Sequence, residues 1–289
     1  MFTIAQEQKQ YYTYILSDKN AQSQIEVVPE RGGIITLWQI KNQEILYLDR
    51  ERYADSSKTI RGGVPILFPI CGDLPNDTFN YQGKSHTLVQ HGFGRRLPWR
   101  VEATSTNNCA SITISLESNQ ETLKVYPFDF IVSYTYELRG NSVKIWQTYT
   151  NKSQTEMPFS AGFHPYFEVG DKQQLDVSIP GTEYTEKATQ AVVPFSGTFD
   201  YQQEEIDVAF TSITANQASF CDRTNNAKIT IKYSDLFSTL VFWTVKDKNF
   251  ICLEPWSAPR NALNTGKQIT VLQPGASCKA SVEMIYEQI

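Results

Sequence analysis

The chain has 289 residues, with 31 acidic against 26 basic side chains and a formal net charge of −5 at pH 7. A chain this long can bury a sizeable core without disulfide or metal staples, and 20% charged with 40% hydrophobic residues is a common globular balance. No run reaches the ~20 apolar residues of a membrane helix, and no basic stripe offers the footprint of a nucleic-acid binder. Neither a membrane nor a nucleic acid is therefore expected as a partner.

From the N-terminus, MFTIAQEQKQYYTY lacks a basic segment followed by an apolar one, so no secretory signal is expected. The next runs read as strands: SQIEVVPE, EILYLDR, ASITISLES, FDFIVSYTYEL, SVKIWQTYTN, QLDVSIPG, AKITIKYS, STLVFWTV, NFICLEPW and KASVEMIYE. All are rich in Val, Ile, Thr, Tyr and Phe, the residues that suit a pleated, half-buried surface. In SVKIWQTYT the period is two: Val143, Ile145, Gln147 and Tyr149 share one face, and Lys144, Trp146 and Thr148 the other. Arg139-Gly140-Asn141-Ser142 reads as a hairpin turn. Helix signals are few; GTEYTEKATQAV holds at most a turn before Pro194 and Gly197. Many strands and almost no helix predict an all-β sandwich or barrel. With no repeat and no linker, residues 1–289 are expected to form a single domain.

Residues 61–96 differ. RGGVPILFPICGDLPND is dense in Gly and Pro, which make poor central strands. FNYQGKSHTL suits a short hairpin turning at Gln82-Gly83. Such segments cross a sheet face as loops and place side chains at a cleft.

Only three histidines occur. His91 lies in QHGFGR, where flanking glycines permit close backbone approach; the competing reading is a histidine capping a turn. His164 lies in GFHPYF, where Pro165 biases it to an extended backbone; the competing reading is a buried core histidine. His86 sits in a polar stretch and reads as exposed. Glu254, in FICLEPW, closes an apolar strand beside Trp256. A carboxylate there is exposed at a strand end, paired or functional, and partial desolvation would raise its pKa and improve it as a base. Arg61 and Arg95 are candidate anchors for hydroxyls or a phosphate, against surface ion pairs. Asp207, in EEID, binds hydroxyls or belongs to a solvated acidic run.

The cysteines Cys71, Cys109, Cys221, Cys252 and Cys278 are odd in number and form no CxxC, which speaks for free thiols in a reducing compartment. No HExxH, GxSxG, Walker A or GxGxxG pattern is present. Neither a metal nor another cofactor is expected, and general acid–base chemistry by His and Glu remains.

Taken in order, ERGGIITLW, RGGVPILFPICG, QHGFGR, GFHPYF, EEID and LEPW resemble the galactose mutarotase family, including its aldose 1-epimerase and hexose-6-phosphate 1-epimerase branches. The pieces span nearly the whole chain, and the ordered set is more specific than any one of them. The resemblance implies a large antiparallel β-sandwich with few short helices and an open sugar cleft. It implies a catalytic acid at His164 and a catalytic base at Glu254. Substrate-binding groups would be Arg61, Gln90, His91, Arg95 and Asp207, with Phe68 or Trp256 facing the sugar ring. The implied activity is anomer interconversion of a hexose in the cytoplasm, without cofactor. RGGVPI and QHGFGR resemble the 6-phosphate branch, and Arg61, Arg95 or Arg96 would hold the phosphate; LEPW resembles the free-sugar branch. A non-catalytic carbohydrate-binding protein on the same scaffold is the alternative from another class. The sequence does not encode an oligomeric state.

Overall fold

The computed structural model describes residues 1–289. Strands dominate and pair antiparallel in three main sheets, with three short α-helices at Arg50–Ala54, Gln120–Val125 and Ala262–Thr265. None of them is long and apolar enough to cross a membrane.

A five-stranded sheet runs in chain order from Phe2–Gln8 to Gln43–Glu44. A large eight-stranded sheet centres on Phe130–Arg139, Ser142–Asn151 and Ser277–Gln288. A second eight-stranded sheet carries the cleft and is built around Glu205–Phe210, Thr239–Val245, Phe250–Trp256 and Gly162–Phe163.

The period-two reading of Ser142–Asn151 holds residue by residue. Val143, Ile145, Gln147 and Tyr149 are buried, while Trp146 is exposed. Its hairpin closes with Arg139 opposite Ser142, and a second hairpin turns at Gln82-Gly83 with both residues at positive φ. Nine of the ten predicted runs form ladder strands. The exception is EILYLDR, where only Glu44 lies in a ladder and Leu46 and Leu48 make single bridges to Phe167 and Gly62. That segment crosses from one sheet to another, so no continuous partner lies beside it. GTEYTEKATQAV gives a short strand, Glu183–Glu186, and then a turn.

Inward faces of all three sheets meet in one cluster of 59 buried residues, from Leu16 and Trp38 through Ile114, Tyr134 and Tyr149 to Phe210, Leu253 and Met284. Each fully buried large apolar side chain contributes about 1.5–3 kcal/mol. Phe68 belongs to this core. It is fully buried, with ring centroids 5.1 Å from Phe130 and 6.0 Å from Phe93 and Tyr149. The expectation that it faces a ligand is thus corrected, because it shares the core-facing side of its segment with Ile66. The opposite face of the cleft sheet carries a separate cluster of nine, including Tyr166, Val241, Trp243, Cys252 and Trp256. Both faces of Phe250–Trp256 are therefore covered, which is why all seven residues are buried.

Candidate active site

Strand register brings the two key side chains together. Gly162 pairs with Trp256 and Tyr166 with Cys252, both antiparallel, on either side of a break in the ladder. Continuing that register sets His164 opposite Glu254 on one face, where directly opposed Cβ atoms are neighbours. Pro165 holds His164 extended at the break, and the His164 N–H donates to the Pro65 carbonyl at 3.1 Å. The result is His164 Nε2 standing 3.3 Å from Glu254 Oε1. His164 stacks on Tyr166 at 4.7 Å and meets Trp243 edge-on at 5.5 Å. Glu254 is 1% exposed and accepts a hydrogen bond from Trp256 Nε1 at 3.0 Å. The exposed strand-end reading of this glutamate is excluded.

Burial drives the pair apart in acidity. Desolvation, and then the Asp207 charge, push the Glu254 carboxyl well above its ordinary 4.5. Desolvation, and then the Arg95 charge, push the His164 imidazole down from 6.5 to about 3. Both directions favour a neutral pair, a carboxylic acid beside a neutral imidazole, over an ion pair.

His91 is buried in the same wall, at 5.6 Å from His164 and 5.5 Å from Trp256 by ring centroids. It has φ of 63°, a conformation rare for a side-chain-bearing residue and common at functional sites. Its Nδ1 accepts the Gly72 N–H at 3.0 Å, which leaves Nε2 as the protonated nitrogen. Burial, then Arg95, hold its pKa well below 6.5, so it is a neutral donor. Beside it Gly92 has φ of 65°, and a Cβ there would lie 2.3 Å from the Phe68 carbonyl oxygen. The Phe93 and Gly94 N–H groups donate to that same oxygen, so the loop is tied to the core and only glycine fits.

These groups floor an open cleft of about 640 Å³, lined also by Arg61, Gln90, Arg95, Arg96 and Asp207. His164, Glu254, Arg61, Gln90, His91, Arg95 and Asp207 thus all reach one cleft, as does Trp256, whereas Phe68 does not. His86 does not; it lies half-buried on Phe79, with ring centroids 5.3 Å apart. Arg95 donates to the Gln90 carbonyl at 3.0 Å and is pushed down to about 10, by burial first and then by Arg96. Arg61 is exposed, its guanidinium 5.9 Å from the Trp243 ring centre.

Several cleft residues were not singled out from sequence. Trp243 pairs with Asp207 on one side and Cys252 on the other, so it faces the cleft by register. Arg260 and Lys187 both pair with Asp207, at 2.6 and 3.5 Å. Cys252 shares the face of Glu254 by strand alternation, a signal that period two alone carries. Its sulfur, with His164 and Glu254, makes the one group of three metal-type ligand atoms within 4.8 Å of one another. Burial raises the thiol's pKa well above 9, so it stays protonated and is a poor ligand.

A model of the aldose 1-epimerase family matches residues 14–284. The chromosomal LacX protein of Lactococcus lactis is 27% identical over 301 residues, covering 92% of this chain and 94% of the relative. A Salmonella typhimurium protein provisionally named as a glucose-6-phosphate 1-epimerase is 29% identical, over 56% of this chain and 51% of its own. Among solved structures, the Slr1438 protein of Synechocystis superposes with a TM-score of 0.96 at 42% identity over all of both chains. A galactose mutarotase-like protein from Clostridium acetobutylicum gives 0.82 at 19% identity, over 100% and 99% of the two chains.

Proposed function

The chain belongs to the aldose 1-epimerase family of isomerases, and from that premise we propose that it interconverts the α and β anomers of a hexose by general acid–base ring opening. One observation carries the reading: an imidazole and a carboxyl 3.3 Å apart at the floor of an open cleft. The acid and base are neighbours on paired strands, so the reading needs no movement to assemble them.

Opening a cyclic aldose removes a proton from the C1 hydroxyl, breaks the C1–O5 bond and delivers a proton to O5. Glu254 takes the hydroxyl proton and His164 gives one to the ring oxygen. For these roles the pair's proton must sit on the imidazole. It crosses 3.3 Å from the carboxyl when sugar hydroxyls replace the lost solvation of the two charges. The free aldehyde turns about C1–C2, and the reverse transfers close the other anomer. Each positioned transfer is worth roughly 100- to 10,000-fold in rate. His91 donates from Nε2, Arg61 and Arg95 donate from their guanidinium groups, and Asp207 accepts, while Gln90 and Trp256 complete the walls. No cofactor takes part in these steps. The same reading places the protein in the cytoplasm, as a single domain, with a sugar as its small-molecule partner.

A second reading, a hexose 6-phosphate as substrate, is favoured by the charge layout. Arg52, Arg61, Arg95 and Arg96 line the cleft and none has an ion-pair partner, whereas its other two cations, Arg260 and Lys187, are paired with Asp207. Beside Arg95 and Arg96 lies a small annex of about 130 Å³, also lined by Arg31 and by Lys58, which is itself paired with Asp55. Anomer exchange measured by NMR on glucose, galactose and glucose 6-phosphate tests both readings. Acceleration that His164→Ala abolishes supports the epimerase. A tenfold or greater preference in kcat/KM (about 1.4 kcal/mol) for the phosphate ester selects the second substrate. No acceleration with sugar still bound would leave a carbohydrate-binding protein.

A further inference from the structure

The carboxylate of Asp207 is held on both sides. Its Oδ1 lies 2.6 Å from Arg260 Nη2 and its Oδ2 lies 3.5 Å from Lys187 Nζ. Arg260 is the more enclosed of the two cations, with a side chain 19% exposed against 37% for Lys187.

The seat of Arg260 is built for it. Its stem crosses Gly72, where a Cβ would come within 2.3 Å of Arg260 Cγ. Its guanidinium lies 5.0 Å over the ring of Trp256, and its Nε faces Asp73 at 3.3 Å. Trp256 is also the donor to Glu254. Arg260 therefore touches both the ring that holds the base and the carboxylate at the cleft edge. Its one hydrogen bond goes to Asp207, and it donates to no backbone carbonyl. Both carboxylates it pairs with, Asp207 and Asp73, line the cleft.

We infer that Arg260 is a positioning residue for sugar binding, acting through Asp207. The inference rests on the reading of Asp207 as a ligand of sugar hydroxyls. A carboxylate has about four lone-pair sites. The two cations pin its orientation, and the remaining sites face the cleft. They also hold it in place, so a polar but uncharged sugar meets a fixed acceptor and not a mobile anion. Without Arg260 the carboxylate turns to Lys187, the more exposed partner, and leaves the sugar.

A double-mutant cycle tests this. Wild type, Arg260→Gln, Asp207→Asn and the double variant are compared in KM and kcat for anomer exchange, and in sugar Kd by NMR titration. Arg260→Gln is expected to raise KM and Kd about tenfold, by a larger factor than it lowers kcat. The double variant is expected to be no weaker than Asp207→Asn alone, and Arg260→Lys, which keeps the charge, to recover part of the loss. Fully additive effects, an unchanged Kd in Arg260→Gln, or a loss confined to kcat would overturn the assignment. If the wild type fails to accelerate exchange, the proposed function falls, and the cycle on Kd still decides the role of Arg260.

Discussion

Replacing Glu254 by Gln separates catalysis from stability, and the two should move in opposite directions. The carboxyl is 1% exposed, with one hydrogen-bond donor in Trp256 and the like charge of Asp207 nearby. Its pKa in the folded state is raised, so the unfolded chain releases this proton near pH 4.5 while the folded chain keeps it. Stability due to this group is complete below pH 4.5 and is lost as pH rises through the raised value. Across that window each pH unit costs the wild-type fold about 1.4 kcal/mol relative to a neutral side chain. Glutamine keeps the shape and can accept from Trp256 but has no proton to lose. Calorimetry from pH 4 to pH 8 should find the two proteins alike at the acid end. The variant should then gain roughly 2–4 °C in Tm for each kcal/mol. Its anomer exchange should fall by about 100- to 10,000-fold. A Tm difference that does not change with pH, or that favours the wild type at pH 8, would refute the account of a desolvated carboxyl.

His164 gives the mirror case. With its pKa pushed from 6.5 to about 3, the unfolded chain takes up a proton that the folded chain refuses, so stability present above pH 6.5 is lost as pH falls toward 3. His164→Asn should flatten that acid limb by about 1.4 kcal/mol per pH unit, read as Tm against pH. Gly92→Ala should cost roughly 1–3 kcal/mol from positive φ alone, and more because its Cβ meets the Phe68 carbonyl. The accompanying displacement of His91 should raise KM for the sugar, measurable alongside Tm.

The strands were legible because alternation is local: Val143, Ile145, Gln147 and Tyr149 declare their face without reference to any other segment. The cleft residues were legible one at a time, from glycines around His91, proline after His164 and an apolar run before Glu254. Their meeting was legible only through the family resemblance, since it depends on which strands pair and in what register, and nothing within GFHPYF itself names LEPW as its partner. Phe68 was misplaced for a related reason. It sits in a Gly- and Pro-rich segment with only a two-residue strand, Ile66–Leu67, too short to show a period. Arg260 follows the last cleft strand in a loop, where no periodicity says which way a side chain turns; its seat over Gly72 exists only in the folded chain.

The ladder that joins Gly162 to Trp256 and Tyr166 to Cys252 also limits how the gene can change. Losing or gaining a single codon within Phe250–Trp256 would turn Leu253 or Pro255 toward the cleft and drive Glu254 into the greasy layer behind it. The loops at either end tolerate length changes far better. Descendants of this chain should therefore vary in loop length around the cleft mouth while the spacing from Cys252 to Trp256 stays frozen.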